Sequence, residues 1–101
     1  MSRVELQETS EGKVSVLGTL SFDSVNEALA AMQPLIDSRP SLLIDLSAVE
    51  RADSAGLALL VEWVSRAEQR GSQLSYCDIP QQMLAIARVS GLDTVLPIEL
   101  S

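Results

Sequence analysis

The chain has 101 residues, 47% of them apolar, with 14 acidic side chains against 7 basic ones and a formal charge of −7. That length suits one domain with a buried core, and the apolar share is too high for a disordered chain. The acidic balance argues against nucleic acid, whose phosphates select cationic surfaces, and against direct docking on an anionic leaflet.

With only Phe22, Trp63 and Tyr76 as aromatics, there is no platform for stacking bases. The lone cysteine, Cys77, cannot form an internal disulfide and fits a reducing compartment. Met1-Ser2-Arg3-Val4-Glu5 lacks the apolar core of a secretory signal, and no apolar run approaches the ~18 residues of a membrane span. The expectation is a cytoplasmic protein, one domain over residues 1–101, with no insertion into the membrane.

Val4 and Leu6 alternate with polar neighbours, and Val14 and Val16 do so again after the turn Ser10-Glu11-Gly12-Lys13. Residues 3–8 and 13–18 therefore read as an antiparallel hairpin. Leu20 and Phe22 continue the apolar alternation. Asp23-Ser24 opens a first helix, with Ser24 and Glu27 at capping-box spacing. Ala28, Leu29, Met32 and Ile36 follow at helical spacing, and Pro34 is expected to end or kink the helix.

Leu42-Leu43-Ile44 is a continuous apolar run inside a strand at 41–45, the pattern of a strand covered on both faces. The polar and small residues after it read as a loop. Ser54 then reads as the N-cap of a second helix at about 55–70, closed by Gly71. On a helical wheel Leu57, Leu60, Val61, Val64 and Glu68 share one side, with Ala67 at its edge, and the apolar members are assigned to the sheet. Leu59, Glu62, Trp63 and Arg66 share the other. Trp63 then either faces a partner, lies along the surface or tucks under a loop.

Residues 73–77 form another strand. Pro80 suits the first turn of a third helix carrying Met83, Leu84, Ile86, Ala87 and Val89, and Gly91 closes it. Val95-Leu96-Pro97-Ile98 is an edge strand or a packed tail. The order is ββαβαβα, an antiparallel hairpin followed by αβαβα and either a last edge strand or a packed tail, which gives a small mixed sheet with helices packed on it.

Little in the chain carries chemistry. Without histidine, catalytic triads and most metal sites lack their usual residue, and one cysteine cannot build a thiolate metal site. There is no phosphate-binding glycine loop. Asp45 and Asp53 flank one loop, but they read as a ligand of loop amides and a charge at a helix N-terminus rather than as paired catalysts. The expectation is no enzyme, no cofactor and no metal.

One motif remains: Leu43-Ile44-Asp45-Leu46-Ser47-x-Val49, then Asp53-Ser54-x-Gly56-Leu57-x-x-Leu60. It resembles the signature of STAS domains, and element order and lengths agree along the whole chain. The resemblance implies the STAS fold and a protein-interaction module that meets its partner through the loop before the second helix and that helix's first turns.

In the anti-sigma factor antagonist branch, the serine just before the glycine is phosphorylated by an anti-sigma kinase. Here that position is Ala55, and Ser54 is the remaining hydroxyl at which a phosphate could sit. In a second branch the domain is a standalone subunit that binds the ATPase of an ABC-type phospholipid transporter maintaining outer-membrane asymmetry. Asp53-Ser54-Ala55-Gly56-Leu57-Ala58-Leu59-Leu60 resembles that branch.

The expectation is a non-catalytic partner of that ATPase and its permease, peripheral to the inner membrane, with the anti-sigma kinase as the alternative partner. Asp53, Ser54, Ala55 and Gly56 would meet the partner, Leu59 and Trp63 would supply apolar anchors, and Arg51, Glu62 and Arg66 a polar rim. An apolar patch on this helix could also drive weak self-association when the partner is absent.

Overall fold

The computed structural model describes residues 3–99. Strands β1 (Val4–Ser10) and β2 (Lys13–Leu20) form the expected hairpin, each running two residues further than the alternation indicated. Helix α1 (Val25–Ser38), strand β3 (Ser41–Asp45), strand β4 (Val49–Ala52), helix α2 (Ser54–Gln69), strand β5 (Gln73–Cys77) and helix α3 (Gln81–Val89) follow. The sheet is mixed. β1 pairs antiparallel with β2, β2 parallel with β3, and β3 parallel with β5. β4, read from the sequence as loop, pairs parallel with the far end of β2. β3 and β4 thus share one edge of β2, separated by the turn after Asp45.

The register aligns Val14, Ile44 and Tyr76 in one row across three strands, and all three are fully buried. Their neighbours Ser15, Leu43 and Ser75 are only half-buried. β3 is therefore fully covered on one face, not two as the Leu42-Leu43-Ile44 run implied. Tyr76 also donates its hydroxyl to Leu60 O of α2 at 2.6 Å, and burial pushes its pKa well up. After α3 the chain returns to the sheet. Tyr76 N donates to Pro97 O and Glu99 N to Tyr76 O, so Ile98 pairs with the outer edge of β5.

Helices α2 and α3 end as expected from their glycines. Gly71 N donates to Glu68 O and Ser72 N to Ala67 O, while Gly91 N donates to Arg88 O and Leu92 N to Ala87 O. These bonds satisfy the last helical carbonyls, and they need the positive φ of +73° and +74° that glycine adopts freely. Pro34 does not end α1, which runs on to Ser38. The Ser24 hydroxyl makes no cap. It donates to Thr19 O at 2.6 Å and accepts from Ser21 N at 3.0 Å, tying the turn before α1 to β2.

Glu8 fastens the hairpin to the end of α1. Its carboxylate takes two hydrogen bonds from Arg39, at 2.8 and 2.9 Å, and a third from Gly12 N at 3.0 Å. The Arg39 guanidinium first, and the Gly12 amide second, hold its pKa at about 2, against an ordinary 4.5. A depressed carboxyl stabilises the fold above its unfolded pKa and loses that contribution as pH falls towards its folded one. NMR titration should place the Glu8 midpoint near 2. Glu8→Gln should flatten the stability profile between about pH 4.5 and 2; an unchanged acid limb would show that the pair contributes nothing.

Candidate functional site

The site is built where β2, β4 and the starts of α1 and α2 converge. Asp53, the residue after β4, donates its N–H to Leu20 O at 3.2 Å and stays extended, with φ −119° and ψ −169°. That geometry makes Asp53, not Ser54, the N-cap of α2. Its Oδ1 accepts from Ala55 N at 2.9 Å and from Gly56 N at 3.2 Å, and its Oδ2 accepts from Phe22 N at 3.3 Å. One carboxylate thus satisfies two free amides of the helix start and holds the turn that leads into α1. Negative charge there also complements the helix dipole.

Ser54 becomes the first helical residue. It is exposed, and its hydroxyl makes no hydrogen bond among the described residues. Gly56 is buried, and its freedom from a side chain serves the fold, not an approaching partner. A Cβ built there would lie 2.4 Å from Leu20 O. Arg51, on β4, and Glu62, on α2, are exposed, while Ala55 and Arg66 are half-buried.

Leu59 and Trp63 are not on the outer face. They are 4% and 0% exposed and belong to the hydrophobic core. The buried arc of α2 comprises Gly56, Leu57, Leu59, Leu60, Trp63 and Ala67, whereas Val61 and Val64 are half-buried and Glu68 is exposed. At about 100° per residue, this arc is rotated by about 75° from the one assigned to the sheet. The cause is α1, which packs along α2 and covers a second side of it. Across that seam Arg66 donates to Gln33 Oε1 of α1 at 2.8 Å and to Glu62 of its own helix at 3.0 Å.

Of the expected contact residues, the structure brings Arg51, Asp53, Ser54, Ala55, Glu62 and Arg66 to a surface, and withdraws Gly56, Leu59 and Trp63. It adds others. Phe22, assigned by alternation to the apolar pattern, is 81% exposed and sits beside Asp53. Val25 and Leu29 of α1 face Ala55, Ala58 and Leu59 of α2 across a shallow apolar groove. A large aromatic in a polar turn was the only signal in the sequence for this addition.

The C-terminal ends of β3 and β5 carry a second polar group. Asp45 accepts from Ser47 N at 2.8 Å, which is the main cause of its lowered pKa. Asp45, Cys77 and Asp78 bring one sulfur and two carboxylate oxygens within 4.8 Å of one another. Burial first, then the charges of Asp45 and Asp78, push the Cys77 thiol up, so it keeps its proton. This is the opposite of the lowered pKa that makes a thiol reactive.

A mixed sheet led by a hairpin, with Asp53-Ser54-Ala55-Gly56 at the start of α2 and Asp53 and Ser54 exposed there, is the arrangement of a STAS domain, and the chain belongs to the STAS family. The family model it matches is described as Mlab, STAS domain, and covers residues 4–98. No curated protein matches the chain.

Among solved structures, a chain of the Acinetobacter MlaFEDB complex in its ATP-bound Vtrans2 conformation is similar at TM-score 0.73 and 24% identity, over 95% of this chain and 100% of that one. An anti-sigma factor antagonist from Mycobacterium paratuberculosis is similar at TM-score 0.75 and 25% identity, over 97% and 85%. A putative antagonist from Thermotoga maritima reaches TM-score 0.77 at 14% identity, over 97% and 86%. Among the described residues, no helix is long and apolar enough to cross a membrane.

Proposed function

We propose that this protein is a non-catalytic STAS subunit that binds and supports the ATPase of an ABC-type phospholipid transporter, one that maintains outer-membrane asymmetry. It acts at the cytoplasmic face of the inner membrane through the complex with that ATPase and its permease. The observation that carries this reading is the match to the Mlab model over residues 4–98. The likeness to the whole of a chain from the MlaFEDB complex supports it.

The docking surface is the start of α2, where Ser54 offers a free hydroxyl, with Phe22, Ala58 and Glu62 exposed around it. A tagged pull-down from the native host should recover an ABC ATPase and a permease. Recovery of a histidine-kinase-like protein in their place would overturn the reading.

Ser54→Arg tests the surface. Position 54 is exposed, so the fold should survive, at a cost of about 0.3–1 kcal/mol for a cation at the positive end of the helix. Co-purification with the ATPase should fall by about tenfold or more, as expected when a charge replaces a small central contact. Normal recovery would move the interface elsewhere.

The likeness to the mycobacterial antagonist favours a second reading, a partner of an anti-sigma kinase. Ala55 occupies the position that this branch phosphorylates and has no hydroxyl. Only the neighbouring Ser54 could then be modified, beside the Asp53 carboxylate. Intact mass after incubation with the cognate kinase should show no added phosphate; a singly phosphorylated form, mapped to Ser54, would favour the second reading.

A further inference from the structure

We propose that Asp53 is a positioning residue for Phe22: its carboxylate fixes the turn that carries the ring against the start of α2, so that the ATPase meets a preorganised surface. This rests on the transporter reading above and on the docking surface placed there. Two side chains hold the turn. From within, the buried Ser24 hydroxyl donates to Thr19 O at 2.6 Å and accepts from Ser21 N at 3.0 Å. Ser24 N and Val25 N both donate to Ser21 O. None of these bonds reaches the Phe22 amide. Its acceptor among the described residues is Asp53 Oδ2, at 3.3 Å and 31 residues away in the chain. The Phe22 ring is 81% exposed, so side-chain packing does little to place it and the backbone must. An aromatic whose backbone is already fixed loses less freedom on binding, and large aromatics are frequent carriers of binding energy.

The two carboxylate oxygens divide the work. Oδ1 takes both cap bonds, from Ala55 N and Gly56 N, and Oδ2 takes the bond that crosses to the turn. The two roles are therefore chemically separable. Asp53→Asn keeps one carbonyl oxygen for the helix amides, and asparagine caps a helix about as well as aspartate. Its amide nitrogen replaces the second oxygen and can only donate, so it cannot accept from Phe22 N. The substitution releases the turn and leaves the cap. Asp53→Ser, another good cap with a single oxygen, does the same by a different route.

The test is a double-mutant cycle of Asp53→Asn with Phe22→Ala in the full chain. It reads affinity for the ATPase subunit, urea unfolding and hydrogen exchange at the Phe22 amide. Asp53→Asn and Asp53→Ser should unfold close to the parent's midpoint, exchange the Phe22 amide faster and bind about tenfold more weakly. Phe22→Ala should weaken binding by at least as much. The double variant should bind no more weakly than Phe22→Ala alone, because a positioning residue then has nothing left to position. Glu68→Gln, exposed at the far end of α2, removes the same charge and should bind as the parent does. Additive losses in the cycle would mean that Asp53 touches the partner itself, and an equal loss in Glu68→Gln would mean that net charge governs binding; either overturns the proposal. So does an Asp53→Asn protein that binds as the parent or keeps its Phe22 amide as slow to exchange, and the transporter reading then stands. If the parent itself fails to bind the ATPase, that reading falls and the proposal falls with it.

Discussion

Gly56→Ala should lower stability by about 1–3 kcal/mol, the range for forcing an extra group into a packed interior. The sign is the informative part. A glycine inside a helix is ordinarily worse than alanine by roughly 0.5–1 kcal/mol, so the change would stabilise an exposed helix. Here a Cβ would lie 2.4 Å from Leu20 O and 2.9 Å from Leu20 Cβ.

The nearer atom is backbone, and it is not free to move. Leu20 closes β2, its carbonyl accepts from Asp53 N, and its side chain is fully buried. Relief must therefore come from α2 moving away from the sheet, which strains the Asp53 bonds to Ala55, Gly56 and Phe22. Those bonds position the candidate docking surface, so binding of the proposed ATPase partner should weaken even in the folded fraction. Urea unfolding decides the matter: a midpoint equal to or above the parent's would mean that the helix tolerates the extra carbon and that the close approach has no energetic weight.

The parts of the fold that show in the sequence are those whose side chains face one environment. β1, β2 and β5 alternate because one of their faces is covered, and the helix ends at Gly71 and Gly91 follow from a backbone shape that favours glycine. β4 does not show. Its four residues, Val49-Glu50-Arg51-Ala52, bury only Val49 and are held by backbone pairing to β2. A strand defined by its main chain carries little side-chain signal.

The cap of α2 was ambiguous for a related reason. Asp53 and Ser54 are both good caps, and the choice is made by β4, whose end leaves Asp53 extended. The packed face of α2 was harder still. Leu57, Leu59, Leu60, Val61, Trp63 and Val64 occupy most of its circumference, so a wheel cannot say which part is covered. Only the position of α1 settles it, and that is a tertiary fact. The candidate site shows in the sequence as a place on the chain, Asp53 to Gly56, but not as a surface, because the candidate surface includes Phe22 from the turn before α1 and Val25 and Leu29 from α1 itself.

Trp63 is where these two pictures of α2 separate by experiment. Trp63→Ala should cost about 3–5 kcal/mol, the usual loss for removing a large buried aromatic. Typical domains are stable by only about 5–15 kcal/mol in total, so this variant should be close to unfolding at ordinary temperature. Loss of ATPase binding in it would therefore say nothing about the interface.

Trp63→Phe is the discriminating change. It keeps an aromatic ring in the core and removes only the part that packs least well in chemical terms. The indole Nε1 is buried and finds no hydrogen-bond partner among the described residues. An unsatisfied buried donor carries a penalty of about 1–3 kcal/mol, and its removal offsets much of the lost ring area. Trp63→Phe leaves a smaller cavity than Trp63→Ala and should cost clearly less than the ~3–5 kcal/mol of that variant. Because Trp63 is the only tryptophan, unfolding of the variant must be followed by circular dichroism. Its affinity for the ATPase should equal the parent's, since a fully buried ring cannot touch a partner. An interface anchor would behave in the opposite way, with little change in stability and a large loss of binding on the same substitution. A stable Trp63→Phe protein that no longer binds would mean that α2 turns its tryptophan outwards when the partner docks.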